Sequence, residues 1–345
     1  MTWPLVSVII LNHHGRQFIE NCLDSVIKSD YLNKEIIIVD SSSDGSNELI
    51  KKKYYRIKNL KIIEIPNNYG PDRARNIGAT TAKGEYLAFL DNDTEVDPHW
   101  LNELVKVMQS DKSIGSAQSK LLKIEPRNYF DCAGDYLGPL GFLIERSRGV
   151  KDRGQFDYIA EILSAKSAAS IIRNSIFKKI GGFDEDYFMY LEETDLSWRV
   201  WLAGYRVVFI PQSKVYHAFN TPKKSFKRYY PKNIVRYYGC RNYISTLVKN
   251  LELRNLIKIL PLHLSCWFLL SVLFVFKGNL KDGLYILKGI GWNILNINLL
   301  LKKRRFININ IRKVSDREIL GRVMEKKKMG YYLGKVFAYL TGRPF

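Results

Sequence analysis

Short runs of β-branched and apolar residues alternate with stretches of helical periodicity through the first third of the chain, and no other feature restricts the fold as much. Residues 5–11, 35–40, 60–65 and 86–90 read as strands. Between the first two, Phe18, Ile19, Cys22, Leu23, Val26 and Ile27 recur at helical spacing, which predicts a helix over 16–28. A second helix is expected from Ser46, acting as its cap, through Lys53. Strands joined by helices make right-handed crossovers, so the expectation is an α/β fold with a Rossmann-like, mostly parallel sheet flanked by helices. Ligands of such open sheets bind beyond the carboxyl ends of the strands. Two polar turns fall there: Asp40-Ser41-Ser42-Ser43-Asp44-Gly45 and Asp91-Asn92-Asp93. No Gly-x-Gly-x-x-Gly follows the first strand, which argues against a dinucleotide-binding fold.

Asp91 and Asp93 follow the apolar run 86–90, and hard carboxylate oxygens at a strand end suit Mg²⁺ or Mn²⁺. A second acidic cluster, Glu192, Glu193 and Asp195, opens a segment whose Leu196, Val200 and Leu202 predict a helix stopped by Gly204. Each cluster has a bland use, a solvated turn for the first and a helix start favoured by the macrodipole for the second. Together they fit one crevice, one cluster suited to a metal and the other to a proton.

With 345 residues and 46% hydrophobic content, the chain can bury one large core or two smaller ones. Charge divides it sharply. Residues 221–345 carry 26 Lys and Arg against 5 Asp and Glu, whereas residues 1–220 balance 28 against 29. Cys22, Cys132, Cys240 and Cys266 form no Cys-x-x-Cys pair, which argues against a zinc site or a disulfide framework and fits a reducing compartment. The first residues run directly into a strand pattern with none of the marks of a signal peptide.

The motifs carry a family resemblance. Val6-Ser7-Val8-Ile9-Ile10-Leu11-Asn12, Ile38-Val39-Asp40 with Asp44-Gly45-Ser46, Ala74-Arg75-Asn76-Ile77-Gly78, Phe89-Leu90-Asp91-Asn92-Asp93, Gly181-Gly182-Phe183-Asp184-Glu185 and the block from Glu192 to Arg199 stand in a characteristic order and spacing. Over residues 4–220 the chain resembles the family 2 glycosyltransferases of the GT-A fold, a group with rhamnosyltransferase-like and dolichol-phosphate-sugar synthase-like members. The resemblance implies an inverting, metal-dependent enzyme that moves sugar from a nucleotide-diphosphate donor to a hydroxyl, with Mg²⁺ or Mn²⁺ as cofactor. It implies that Asp40 hydrogen-bonds the nucleobase, that Arg75, Asn76 and Asp91 bind the nucleotide-sugar, and that Asp91 and Asp93 form the metal-binding Asp-x-Asp pair. His217 matches a histidine near the metal or diphosphate. Glu193 falls at the family's general-base position, where aspartate is usual, so Glu192 and Asp195 stay candidates beside it. The turn after Asp40 is one residue shorter than the common spacing, which weakens any role for Asp44. Processive synthases of this family typically show Gln-x-x-Arg-Trp after the base; here Ser197-Trp198-Arg199-Val200-Trp201 stands there, so addition of a single sugar is expected. The glycine-rich and aromatic stretch 125–166 is expected to form the acceptor side.

A different kind of sequence fills the remainder, 221–345. Residues 259–276 form an apolar segment in which only His263 can carry charge, and about 17–25 such residues span a bilayer. The apolar segment 283–301 contains Lys288 and three asparagines and reads as an interfacial or re-entrant helix. Basic flanks surround both: Lys223, Lys224, Lys227, Arg228, Lys232, Arg236 and Arg241 before, Lys302, Lys303, Arg304 and Arg305 after. With Tyr229, Tyr230, Tyr237, Tyr238 and Tyr243 they predict a helical region held, peripherally or as a hairpin, on an anionic membrane surface at the cytoplasmic face. Such a place suits a lipid-linked or glycan acceptor. Two alternatives use the same residues: a catalytically degenerate, membrane-anchored sugar-nucleotide-binding subunit, and a basic nucleic-acid-binding protein. The first is disfavoured by retention of both acidic clusters. The second is disfavoured because the basic region adjoins a long apolar run and lacks a nucleic-acid motif, so no nucleic-acid partner is expected.

Overall fold

The computed structural model describes residues 3–218 and 230–341. The chain forms two compact units, one of Met1–Asp135 with Glu145–Thr221 and one of Tyr136–Ile144 with Pro222–Phe345. Lys223, Lys224, Lys227, Arg228 and Tyr229, assigned above to the basic flank and aromatic platform, lie outside the described residues.

The first unit begins as expected: β1 (Val6–Asn12), α1 (Ile19–Ile27), β2 (Lys34–Asp40), α2 (Ser46–Tyr54), β3 (Leu60–Glu64), α3 (Pro71–Thr81) and β4 (Tyr86–Asp91). Then come β5 (Thr94–Val96), α4 (Trp100–Ser110), β6 (Ile114–Lys123), β7 (Phe130–Cys132), the short β8 (Asp135–Leu137) and β9 (Leu143–Glu145), which pair with each other around the Tyr136–Ile144 excursion, and then β10 (Ala160–Glu161), β11 (Ala169–Arg173), α5 (Asn174–Lys179), α6 (Glu192–Leu202) and β12 (Arg206–His217). The main sheet runs β10-β12-β6-β11-β4-β1-β2-β3, with β5 on β12 and β7 on β6. Strands β3, β2, β1 and β4 are mutually parallel. Their apolar runs are buried almost throughout in β1, β2 and β4, the pattern of strands covered by helices on both faces. Each fully buried Ile, Val or Leu there contributes about 1.5–3 kcal/mol over leaving it in water.

Pairing puts Asn12 opposite Asp40 and Leu11 opposite Asp91, so three strand ends open on one edge. The topology switches between β1 and β4, where β4 continues into antiparallel β11. Ser46 is the first helical residue of α2 rather than its cap. Gly45 takes the cap position in the left-handed region at φ 79°, and Ser46 Oγ donates to Asp44 Oδ1 at 2.6 Å instead. Gly78 has a reason beyond helix propensity: a Cβ there would stand 2.6 Å from Ile9, so only glycine lets α3 approach the sheet this closely. Arg75, one turn earlier on the same face, is thereby carried down to the strand ends.

The second unit is helical: α7 (Lys232–Asn250), α8 (Leu253–Phe276), α9 (Leu280–Leu295), α10 (Ile297–Phe306) with a π-helical continuation at Ile307–Ile311, α11 (Asp316–Val323) and α12 (Met329–Thr341). Its core gathers Cys240, Ile244, Val248, Trp267, Phe274, Ile286 and Leu300. Phe142, from the Tyr136–Ile144 excursion, lies against Tyr243, His263 and Trp267 with ring centroids 4.1–5.6 Å apart. The expected apolar segments are α8 and the pair α9 and α10, which is bent by 62°. Among the described residues α8 alone is, as a single helix, long and apolar enough to cross a membrane.

Candidate active site

Asn12, at the end of β1, joins the two polar turns. Its Nδ2 lies 2.8–3.0 Å from Asp40 Oδ1, Ser42 Oγ and Ser46 Oγ, which share its two N–H groups, while its Oδ1 accepts from Asn92 Nδ2 at 2.8 Å. Asp40 is buried, and the same Oδ1 also accepts from the Ser42 amide at 3.0 Å.

The turn after β4 presents Asp91 and Asp93, both partly exposed. Strand β12 shifts register between Ile210 and Lys214 and continues to His217, which pairs with Thr94 of β5. Ligand atoms of Asp91, Asp93 and His217 consequently lie within 4.8 Å of one another. Two carboxylates and an imidazole form a donor set that fits Mn²⁺. His217 Nε2 stands 3.2 Å from Asp93 Oδ1, and Nδ1 stands 2.8 Å from Asp131 Oδ2. Burial disfavours charge on this imidazole, but the Asp93 carboxylate and the bond to Asp131 outweigh it and hold the pKa well above the ordinary histidine value.

The second acidic cluster opens α6. Phe188, Tyr190 and Leu191, directly before it, adopt φ of 63–67°, a conformation costing non-glycine residues about 1–3 kcal/mol each and typical of segments that aim functional side chains. Three carboxylates begin the helix, and their surroundings divide them. Asp195 is fully buried; its Oδ2 accepts from Arg199 Nε at 2.9 Å and lies 2.7 Å from Nη2 in an ion pair, while Arg199 Nη1 donates to the carbonyls of Ile180 and Gly182. Glu192 is nearly buried and accepts from Arg75 Nη1 at 3.2 Å. Burial, then the charges of Glu193 and Asp72, push its pKa well up against the opposition of Arg75. Glu193 accepts from Lys166 Nζ at 3.2 Å, and Lys166 also reaches Asp135 Oδ2 at 2.7 Å. Burial would raise the Glu193 pKa, but Lys166 leads a set of interactions that hold it below the usual range. One neighbour is thus set to keep its proton and the other to lack it, the separation expected of an acid–base site.

Arg75 links the clusters. Its Nη2 donates to Asp91 Oδ1 at 2.9 Å while Nη1 reaches Glu192, and the guanidinium is almost wholly buried. Asn76 faces another way, donating to the Phe183 carbonyl at 2.9 Å and to Glu185 Oε1 at 3.1 Å, and accepting from the Phe183 amide at 2.9 Å. It pins the Gly181–Glu185 turn to α3. Four residues of this site had no role in the sequence reading: Asp72, Asp131, Asp135 and Lys166. Asp72 is fully buried, with neither carboxylate oxygen hydrogen-bonded, and burial raises its pKa strongly. A lone charged residue in a patterned helix start or loop carries no signal of partners so far along the chain; only the fold brings Lys166 to Glu193.

A sequence model described as glycosyl transferase family 2 matches residues 7–181, just over half of the chain. The chain belongs to glycosyl transferase family 2. The O-antigen biosynthesis protein RfbC of Myxococcus xanthus is 28% identical to this family 2 chain over 222 residues, 62% of the chain but 17% of RfbC. The curated relatives are matched over about half of their length or less. Residues 1–349 of S. aureus TarS, solved with UDP-GlcNAc, superpose with a TM-score of 0.57 at 19% identity over 92% of both chains. The mannosyltransferase PcManGT of Pyrobaculum calidifontis, solved with GDP-Man and Mn²⁺, gives 0.52 at 15% identity over 88% of this chain and 85% of its own. These likenesses establish the fold, which is the GT-A fold the motifs implied.

Proposed function

We propose that this family 2 chain is an inverting glycosyltransferase that moves one sugar from a nucleoside diphosphate donor to a hydroxyl of a glycan or lipid-linked acceptor. The observation that carries the reading is Arg75, which ties Asp91 of the Asp91, Asp93 and His217 donor set to Glu192, the neighbour of Glu193. Glu193 is the general base: a partly exposed carboxylate kept ionised by Lys166 takes the acceptor hydroxyl proton as that oxygen attacks the anomeric carbon. The bond from that carbon to the diphosphate oxygen breaks on the opposite side, its electron pair leaving with the diphosphate, and the configuration inverts. A Mn²⁺ or Mg²⁺ held by Asp91, Asp93 and His217 would supply positive charge against the departing diphosphate. Asp40, fixed by Asn12, presents its carboxylate to the nucleobase. Arg75 and Glu192 order the floor between the two ends of the reaction, and Asp195 braces α6 through Arg199.

The helical unit suits a membrane surface. Leu262, Phe268, Leu269 and Phe276 on α8, Ile294 and Leu295 on α9, and Leu333 and Phe337 on α12 are exposed, in a region rich in Lys and Arg. Apolar side chains that water leaves uncovered, beside basic ones, suit the interface of an anionic membrane.

The donors in the two neighbours, UDP-GlcNAc and GDP-Man, are the first to test. Calorimetric titration of each with Mn²⁺, and again with EDTA, is expected to give metal-dependent binding of one nucleotide class. Binding unaffected by EDTA would overturn the metal's place in this reading, and donor binding without transfer to any membrane-extracted acceptor would favour the degenerate subunit.

A further inference from the structure

Strand β7 pairs with β6 irregularly: Leu121 faces Cys132 and the next residue, Leu122, faces Phe130. Asp131 is therefore the extra residue of a bulge, left without a partner across the ladder. Bulges beside functional sites commonly re-aim a side chain. Here Asp131 is only 5% exposed and its carboxylate points to His217, 86 residues away, accepting from Nδ1 at 2.8 Å. The opposite ring nitrogen, Nε2, is the one that faces Asp93.

We propose that Asp131 is a positioning residue for a divalent cation held by Asp91, Asp93 and His217: by accepting from Nδ1 it reserves Nε2 as the ligand atom and holds the ring in the plane that aims it. This rests on the metal reading above. A neutral imidazole carries one N–H, and whichever nitrogen bears it cannot ligate. A carboxylate on Nδ1 keeps the proton there, fixes the ring against rotation and makes Nε2 the stronger donor. Strand β6 lies between the partners, paired in parallel with β12 and antiparallel with β7, so Asp131 and His217 are set by one three-strand segment. Carboxylates that orient a ligating histidine typically change metal affinity by about 10–100-fold when removed.

Mn²⁺ binding to the full chain, read from the electron paramagnetic resonance of free Mn²⁺, tests this without any substrate. The variants are Asp131→Ala, Asp131→Asn, Asp93→Asn and His217→Ala, each prepared with ¹⁵N-histidine. In the unsubstituted protein, spin-echo spectra of bound Mn²⁺ are expected to show coupling to a histidine nitrogen, which disappears in His217→Ala. Asp131→Ala should weaken Mn²⁺ by about 10–100-fold and diminish that coupling even at saturating metal. Asp131→Asn, whose amide oxygen still accepts from Nδ1, should fall between, and it decides the matter if the alanine variant does not fold. Unchanged affinity and unchanged coupling in both Asp131 variants, with Asp93→Asn and His217→Ala impaired, would overturn the proposal and leave the metal site standing. Equal Mn²⁺ binding by all four would overturn both.

Discussion

The two units solve opposite problems with their polar residues. In the first, apolar side chains fill the core and the ionisable groups that enter it gather in sets: Arg75 with Asp91 and Glu192, Arg199 with Asp195, Lys166 with Asp135 and Glu193. In the second, uncharged polar groups are inside beside the Arg312–Asp316 ion pair, as in Ser245 donating to Asn293 at 2.8 Å and Thr246 donating to the Asn242 carbonyl, while large apolar residues stand outside. Buried charge is costly and is retained where chemistry uses it. Exposed apolar surface is retained where something other than water covers it. We read the contrast as one unit suited to a reaction and one suited to a surface.

The largest effect should come from breaking the reactive unit at its base. Glu193→Gln is expected to lower kcat by about 10²–10⁴-fold while donor binding persists, the loss typical of a removed proton acceptor; full transfer by this variant would move the role to another carboxylate. Removing a partner from the adjoining structural pair should cost stability rather than chemistry. Arg199→Met takes the ion-pair partner from buried Asp195, a loss that costs about 3–5 kcal/mol, visible as a lowered midpoint in urea. A midpoint unchanged by this substitution would mean that Asp195 is not held as a structural partner.

The helical unit can be broken by wetting its outer face. Phe268→Ser with Leu269→Ser should weaken sedimentation with anionic vesicles more than tenfold, since each apolar side chain fully buried in the interface is worth about 1.5–3 kcal/mol. Equal binding by the variant would assign the attraction to charge alone, which added salt would then abolish. The smallest effect sharpens the first unit again. Glu193 must be ionised to act, and Lys166 lowers its pKa, so Lys166→Met should raise that pKa and move the acidic limb of kcat/KM to higher pH, while Lys166→Arg should restore it. Arg75, Glu192 and Asp72 also face Glu193 and remain in place in both variants. An acidic limb that does not move would remove Lys166 from the control of the base.

Periodicity and composition determined much of this protein. The strands β1 to β4 and helix α1 are legible because apolar residues repeat at the period of the element they form, and the two acidic turns are legible because they interrupt such runs at strand and helix ends. The same logic marked 259–276 as apolar and its surroundings as basic. Only the tertiary structure decided how those parts meet. That Arg75 joins Asp91 to Glu192, 117 positions away, that Lys166 holds Glu193, that Asp131 in a bulge steadies His217, and that residues 136–144 belong with the helices are consequences of strand order and register. The chain's local pattern says which face of an element is buried; which charge shares that buried space is a long-range pairing, and no local period records it.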